Sequence, residues 1–165
     1  MAAKDGPRMI RIARQLRERG INFIWDVYGG GGRGLEAAQG EVIRLRLDDV
    51  FRIHGHDPNV RSRLGEADVC VLLSHYEGLP NSIYEALIAG VPVFATAVGG
   101  IPEQVQNGLT GWLVDDDETQ IVERLVHLLK NPKDIGACWD RLRSYNYDTE
   151  KVFEAMLCHL KGGES

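Results

Sequence analysis

Val69-Cys-Val-Leu-Leu73 is an unbroken apolar run of strand length, without the polar alternation that a strand with one wet face would show. Further runs of strand type stand at 23–28, 50–54, 91–95 and 111–114, each separated from the next by a segment with helical spacing. The first helical segment, 5–19, places Met9, Ile10, Ala13 and Leu16 on one face and stops at Gly20. Others are expected at 35–47, 59–66 and 83–89, and three more at 118–130, 133–143 and 149–161, the first of them behind the acids Asp115-Asp-Asp117. Strands alternating with helices leave one economical arrangement, a parallel, doubly wound, Rossmann-like α/β sheet, here followed by C-terminal helices. A chain of 165 residues has room for a single core of this kind, so 1–165 reads as one domain.

The loop after the 69–73 run carries the most chemistry. In Glu77-Gly-Leu-Pro-Asn-Ser-Ile-Tyr-Glu85 two carboxylates stand eight positions apart across a loop that opens a helix. In open parallel sheets ligands bind beyond the carboxyl ends of the strands, where helix N-termini offer unpaired N–H groups to anions. Glu77 and the amides of Leu79 and Asn81 would face such a ligand, with Glu85 about one turn further into the helix. Pro80 has no N–H to donate, but its fixed φ suits a helix entrance. A plainer reading also fits Glu85, since Ser82-x-x-Glu85 has the form of a capping box in which each side chain satisfies the other's backbone N–H. Glu77 can equally be read as a solvated loop acid, and Lys4 as a solvated terminal lysine.

Two other motifs compete. Gly29-Gly-Gly-Gly-Arg-Gly34 satisfies G-x-G-x-x-G behind a strand, which keeps an NAD-type dinucleotide site open. That fingerprint also wants an acid at the end of the next strand, and the strand ends instead in His54-Gly-His56, so a flexible turn is the simpler account. His54-x-His56 suggests zinc, yet no third ligand stands at a convincing spacing, and no metal or cofactor is expected. Net charge −5 and a pI near 5.5 argue against a general nucleic-acid or anionic-membrane surface. No apolar run approaches the ~20 residues of a membrane span, and the N-terminus lacks the apolar core of a secretory signal, so a cytoplasmic location is expected. Cys70, Cys138 and Cys158, odd in number and widely spaced, read as reduced thiols.

The run Ser74-His-Tyr-Glu-Gly-Leu-Pro-Asn-Ser-Ile-Tyr-Glu-Ala-Leu-Ile-Ala-Gly-Val-Pro-Val93 resembles the donor-site signature of glycosyltransferase family 4, also called group 1, of GT-B fold. The resemblance continues through Gly99-Gly-Ile-Pro-Glu103 and Asn107-Gly-Leu-Thr-Gly111, and backward to Tyr28-Gly-Gly-Gly-Gly32 and Lys4. It implies that this chain is the C-terminal, nucleotide-sugar-binding half of a retaining enzyme that transfers a sugar from a nucleoside diphosphate donor to an acceptor hydroxyl. Glu77 would touch hydroxyls of the donor sugar and Glu85 the ribose. The backbone of Gly78, Leu79 and Asn81 would hold the diphosphate, Lys4 would neutralise the leaving group, and His56 would lie near the nucleobase. Catalysis would rest on Glu77 and Lys4, without a bound divalent metal.

The same resemblance exposes a defect. The family's domain begins with a strand that occupies the centre of the sheet and ends in an Arg that helps Lys4, whereas this chain begins at the following helix. With the usual order 3-2-1-4-5-6, the strands on either side of the missing one would flank an empty slot. The expected partner is therefore an N-terminal acceptor-binding half, the chain being a truncated product or one whose other half is supplied separately. A donor-binding or vestigial fragment, inactive alone, is the alternative.

Overall fold

The computed structural model describes residues 5–29 and 33–144. They form five strands and seven helices in the order α1 (Gly6–Glu18), β1 (Trp25–Tyr28), α2 (Arg33–Arg44), β2 (Phe51–Gly55), α3 (Val60–Leu64), β3 (Cys70–Leu72), α4 (Asn81–Ile88), β4 (Val93–Thr96), α5 (Ile101–Gln104), β5 (Gly111–Val114), α6 (Glu118–Lys130) and α7 (Pro132–Ser144). Every pairing is parallel, as the alternation of elements requires, and helices flank the strands. The segment 149–161, Lys4 and the glycines 30–32 lie outside the described residues.

The strands fall into two sheets. β1 pairs with β2, and β3, β4 and β5 form a second sheet in that order, so β1 and β3 are both edge strands. Between these edges runs a groove of about 1220 Å³, lined on its two sides by Trp25–Tyr28 and Cys70–Leu72. This is the slot expected from the sequence: nothing among the described residues pairs with the inner edge of either sheet. The halves are joined beneath it by helices, for α1 packs on both α2 and α6, and Met9, Leu16, Leu125 and Leu128 line the groove.

Local chemistry explains why these helices form. Asp5 caps α1, its carboxylate accepting from the Arg8 amide at 3.0 Å, and Pro7 sits in the first turn. Ile12 and Ala13 are fully buried, with Leu16 nearly so. Asp117 caps α6 by accepting from the Gln120 amide at 2.8 Å, and Ile121, Val122, Leu125 and Leu128 form its inward stripe. Arg11 and Gln15 of α1 both reach Glu118 of α6, at 2.8 and 3.1 Å. These exposed contacts fix register more than they stabilise, because a surface ion pair contributes at most about 1 kcal/mol. The basic run near the N-terminus is not wholly a solvated face: Arg8 is 3% exposed and its guanidinium meets Asp116. β4, central in its sheet, is buried along its whole length.

Candidate functional site

The loop from β3 into α4 is held down by a set of protein contacts. Thr96, at the end of β4, accepts the Ser74 amide at 3.0 Å and donates its hydroxyl to the Ser74 carbonyl at 2.7 Å. The Ser74 hydroxyl in turn donates to the Glu77 carboxylate at 2.8 Å. Gly99 and Gly100 then pack backbone to backbone on the loop, the Gly100 amide pointing at the Gly78 carbonyl at 3.0 Å. A Cβ on Gly99 would lie 1.7 Å from the Glu77 carbonyl oxygen, and one on Gly100 would lie 2.5 Å from that of Gly78, so both positions admit glycine alone. Gln104 of α5 adds a bond to the Pro80 carbonyl at 3.3 Å.

Glu77 is accordingly no loosely solvated acid: it is 6% exposed, in a fixed loop at the carboxyl end of β3. Gly78 and Asn81 are exposed and Leu79 is half-buried. The capping box does not form. Helix α4 starts at Asn81 with Pro80 as its N-cap, at φ −68° and ψ 124°, and no side chain caps it. Ser82 is therefore the second residue of the helix, and its hydroxyl is buried without a hydrogen-bond partner. No side chain caps the first turn of α4, whose Ile83 amide donates to the Pro80 carbonyl at 3.1 Å, and a helix start of this kind can receive an anion.

Glu85 stands about one turn further along and lines the groove, as do Ser82, His56 and Arg61. Its carboxylate is held by Arg61 of α3, with Nη2 at 2.9 Å and Nε at 3.3 Å from the same oxygen, Oε1. His56 is exposed where the chain leaves β2, next to an Asx turn in which Asp57 accepts from the Asn59 amide at 2.8 Å. That amide, and Arg63 behind it, hold the Asp57 carboxyl below its ordinary value. His54 does not join His56 as a metal pair: its Nε2 lies 2.6 Å from Asp26, and its ring stacks on Tyr28 at 4.6 Å.

His75, two residues before Glu77, bridges two carboxylates, its Nδ1 at 2.7 Å from Asp116 and its Nε2 at 3.0 Å from Asp5. The bonds to Asp116 and then to Asp5 raise its pKa, so the loop is tied both to the cap of α1 and to the β5–α6 connection. Sequence reasoning passed over Arg61, Thr96 and His75 because each acts across a long stretch of chain. Only the glycine pair carried a signal, as two adjacent glycines between a strand and a helix. Of the cysteines, burial pushes the Cys70 thiol up to about 12 and that of Cys138 to about 11, and both are free.

Parallel sheets flanked by helices, with a fixed acid-bearing loop at a strand's carboxyl end, define a Rossmann-like α/β domain whose candidate site lies at the open edge of its sheet. The sequence pattern of the family described as glycosyl transferases group 1 matches residues 4–131, and the chain belongs to that family. It is 35% identical over 121 residues to the putative colanic acid biosynthesis glycosyltransferase WcaL of Salmonella typhimurium, a match that spans 67% of this chain and 29% of WcaL. Its fold resembles that of Anabaena Alr3699/HepE, solved in complex with UDP, with a TM-score of 0.74 at 18% identity over 98% of this chain and 46% of that one. It also resembles the C-terminal domain of a group 1 family protein, LpcC, from Francisella tularensis, with a TM-score of 0.72 at 23% identity over 89% of this chain and 81% of that one. The chain thus spans about a third of the length of a curated relative such as WcaL.

Proposed function

We propose that this chain is the donor-binding module of a retaining, cytoplasmic glycosyltransferase, which moves a sugar from a nucleoside diphosphate sugar to an acceptor hydroxyl when joined to an N-terminal acceptor-binding half. The observation that carries the reading is the pair Glu77 and Glu85, set on either side of the uncapped start of α4, Glu77 buried in the loop and Glu85 lining the groove. Glu77 accepts hydroxyls of the donor sugar and sits where positive charge develops at the anomeric carbon. Glu85 accepts the ribose hydroxyls, and the amides around Gly78, Leu79 and Asn81 take the diphosphate. Lys4 meets the departing diphosphate, so that fixed charge supplies much of the rate. His56 lies beside the base. The UDP in the related HepE structure supports a nucleoside diphosphate as the ligand class.

Calorimetric titration with uridine, guanosine and adenosine diphosphates, their sugar conjugates and NAD tests this. One diphosphate series should bind. Glu85→Gln should weaken free nucleotide and conjugate alike, whereas Glu77→Gln should weaken chiefly the sugar-bearing donor. Equal effects of the two substitutions on the free nucleotide, or tight NAD binding indifferent to Glu85, would overturn the assignment. A second reading, binding without transfer, draws support from the divided sheet. It predicts donor affinity with neither transfer nor donor hydrolysis.

A further inference from the structure

The ion pair between Arg61 and Glu85 uses the carboxylate unevenly. Both guanidinium nitrogens that approach it, Nη2 and Nε, go to Oε1, and no bond to Oε2 is formed among the described residues. A fork-to-fork pair would have occupied both oxygens. Here α3 supplies a cation that fixes the orientation of the carboxylate and leaves half of it for another donor. One turn back on the same face of α4, the Ser82 hydroxyl is buried with no partner, and Ser82 lines the same groove. A buried polar atom without a partner is costly unless a ligand completes it.

We propose that Arg61 is a positioning residue of the donor site: it holds Glu85 by one oxygen so that the other, together with the Ser82 hydroxyl, meets the vicinal hydroxyls of the donor's ribose. This rests on the proposed donor-binding reading and adds to it the group that sets ribose against deoxyribose. Two hydroxyls on adjacent carbons match one free carboxylate oxygen and one hydroxyl that can both donate and accept. Arg61 is 78% exposed, so its removal leaves no buried charge, and the fold does not depend on it.

The test compares whichever of UDP, GDP or ADP binds with its 2′-deoxy analogue, by calorimetry, on the unmodified chain, Arg61→Ala, Arg61→Lys, Glu85→Gln and the double variant Arg61→Ala/Glu85→Gln. Arg61→Ala should weaken the ribonucleotide about three- to fivefold, the scale of an exposed ion pair. The loss should be smaller for the deoxy form, which keeps only the 3′-hydroxyl, and Arg61→Lys should recover part of the loss. In the Glu85→Gln background the Arg61 substitution should add nothing, since its effect passes through that carboxylate. Equal losses for ribo and deoxy forms would show that Arg61 meets the diphosphate directly and would overturn the positioning role. If Glu85→Gln weakens binding while Arg61→Ala leaves it unchanged, this inference fails alone. If the unmodified chain binds no diphosphate, the donor-binding reading fails and takes this one with it.

Discussion

Replacing Gly99 by alanine should damage the candidate site from a distance, because the added methyl group lands on the main chain of the β3–α4 loop. The Cβ would stand 1.7 Å from the Glu77 carbonyl oxygen and 2.8 Å from its carbon. No rotamer relieves an overlap with backbone, so the Glu77–Gly78 segment must move away from β4. Two costs add. Gly99 has φ +55°, where a residue with a Cβ pays roughly 1–2 kcal/mol. Forcing a methyl group into a packed contact costs about 1–3 kcal/mol more. The sum, about 2–5 kcal/mol, corresponds to a melting temperature lower by roughly 5–15 °C for a chain of this size. Gly108→Ala is the control. It has φ +78° but nothing within 4 Å of its Cβ, so it should pay the conformational cost alone. Urea unfolding at equilibrium measures the difference, and the Gly99 variant should also lose donor binding, since Glu77 moves with the loop. If the two variants were equally stable to within about 0.5 kcal/mol, the proximity of Gly99 to the loop would not hold in solution and the argument would be refuted.

Two further outcomes follow from the contacts around the loop. Thr96→Val keeps the shape but strands both the amide and the carbonyl of Ser74, and should cost about 1–3 kcal/mol in the same urea titration, whereas an unchanged midpoint would show that Ser74 is satisfied by other means. His75 has a folded pKa raised by Asp116 and Asp5, so its contribution is complete below its unfolded value near 6.5 and is lost as pH rises through the higher folded value. Thermal melts from about pH 6 to about pH 9 should show stability falling over that window, and His75→Gln should flatten the fall; an identical slope in both proteins would deny the bridge any role.

How far the sequence anticipated this molecule depends on whether the determining contacts are local. β5 and α6 lie at 111–114 and 118–130, as expected, because the signals that bound them are local: the acids Asp115–Asp117 separate the two, and Asp117 caps the helix. The strands expected at 23–28 and 91–95 instead begin two residues late, since apolar composition starts before the first paired residue. The capping box failed for a related reason. Pro80 starts the helix from its own backbone, which carries Ser82 past the capping position. The two acids were legible because the chemistry and the loop are contiguous. Arg61 was not, because it meets Glu85 from another helix and its own surroundings look like any exposed basic helix.

The divided sheet and the candidate site bear on one another through β3. Its free edge borders the groove, and the loop that leaves its carboxyl end carries Glu77. A strand docking on that edge would pair with the backbone of Cys70–Leu72 and remove the freedom that a three-residue edge strand otherwise retains. It would thereby pre-order the loop proposed to receive the donor, and the energy spent on ordering would no longer be drawn from donor binding. Linkage makes the effect mutual: whatever factor an added N-terminal half contributes to donor affinity, the donor contributes to retention of that half. Donor binding by this chain alone and by the chain joined to the proposed N-terminal half should therefore differ, although every residue proposed to touch the donor from this side is already present.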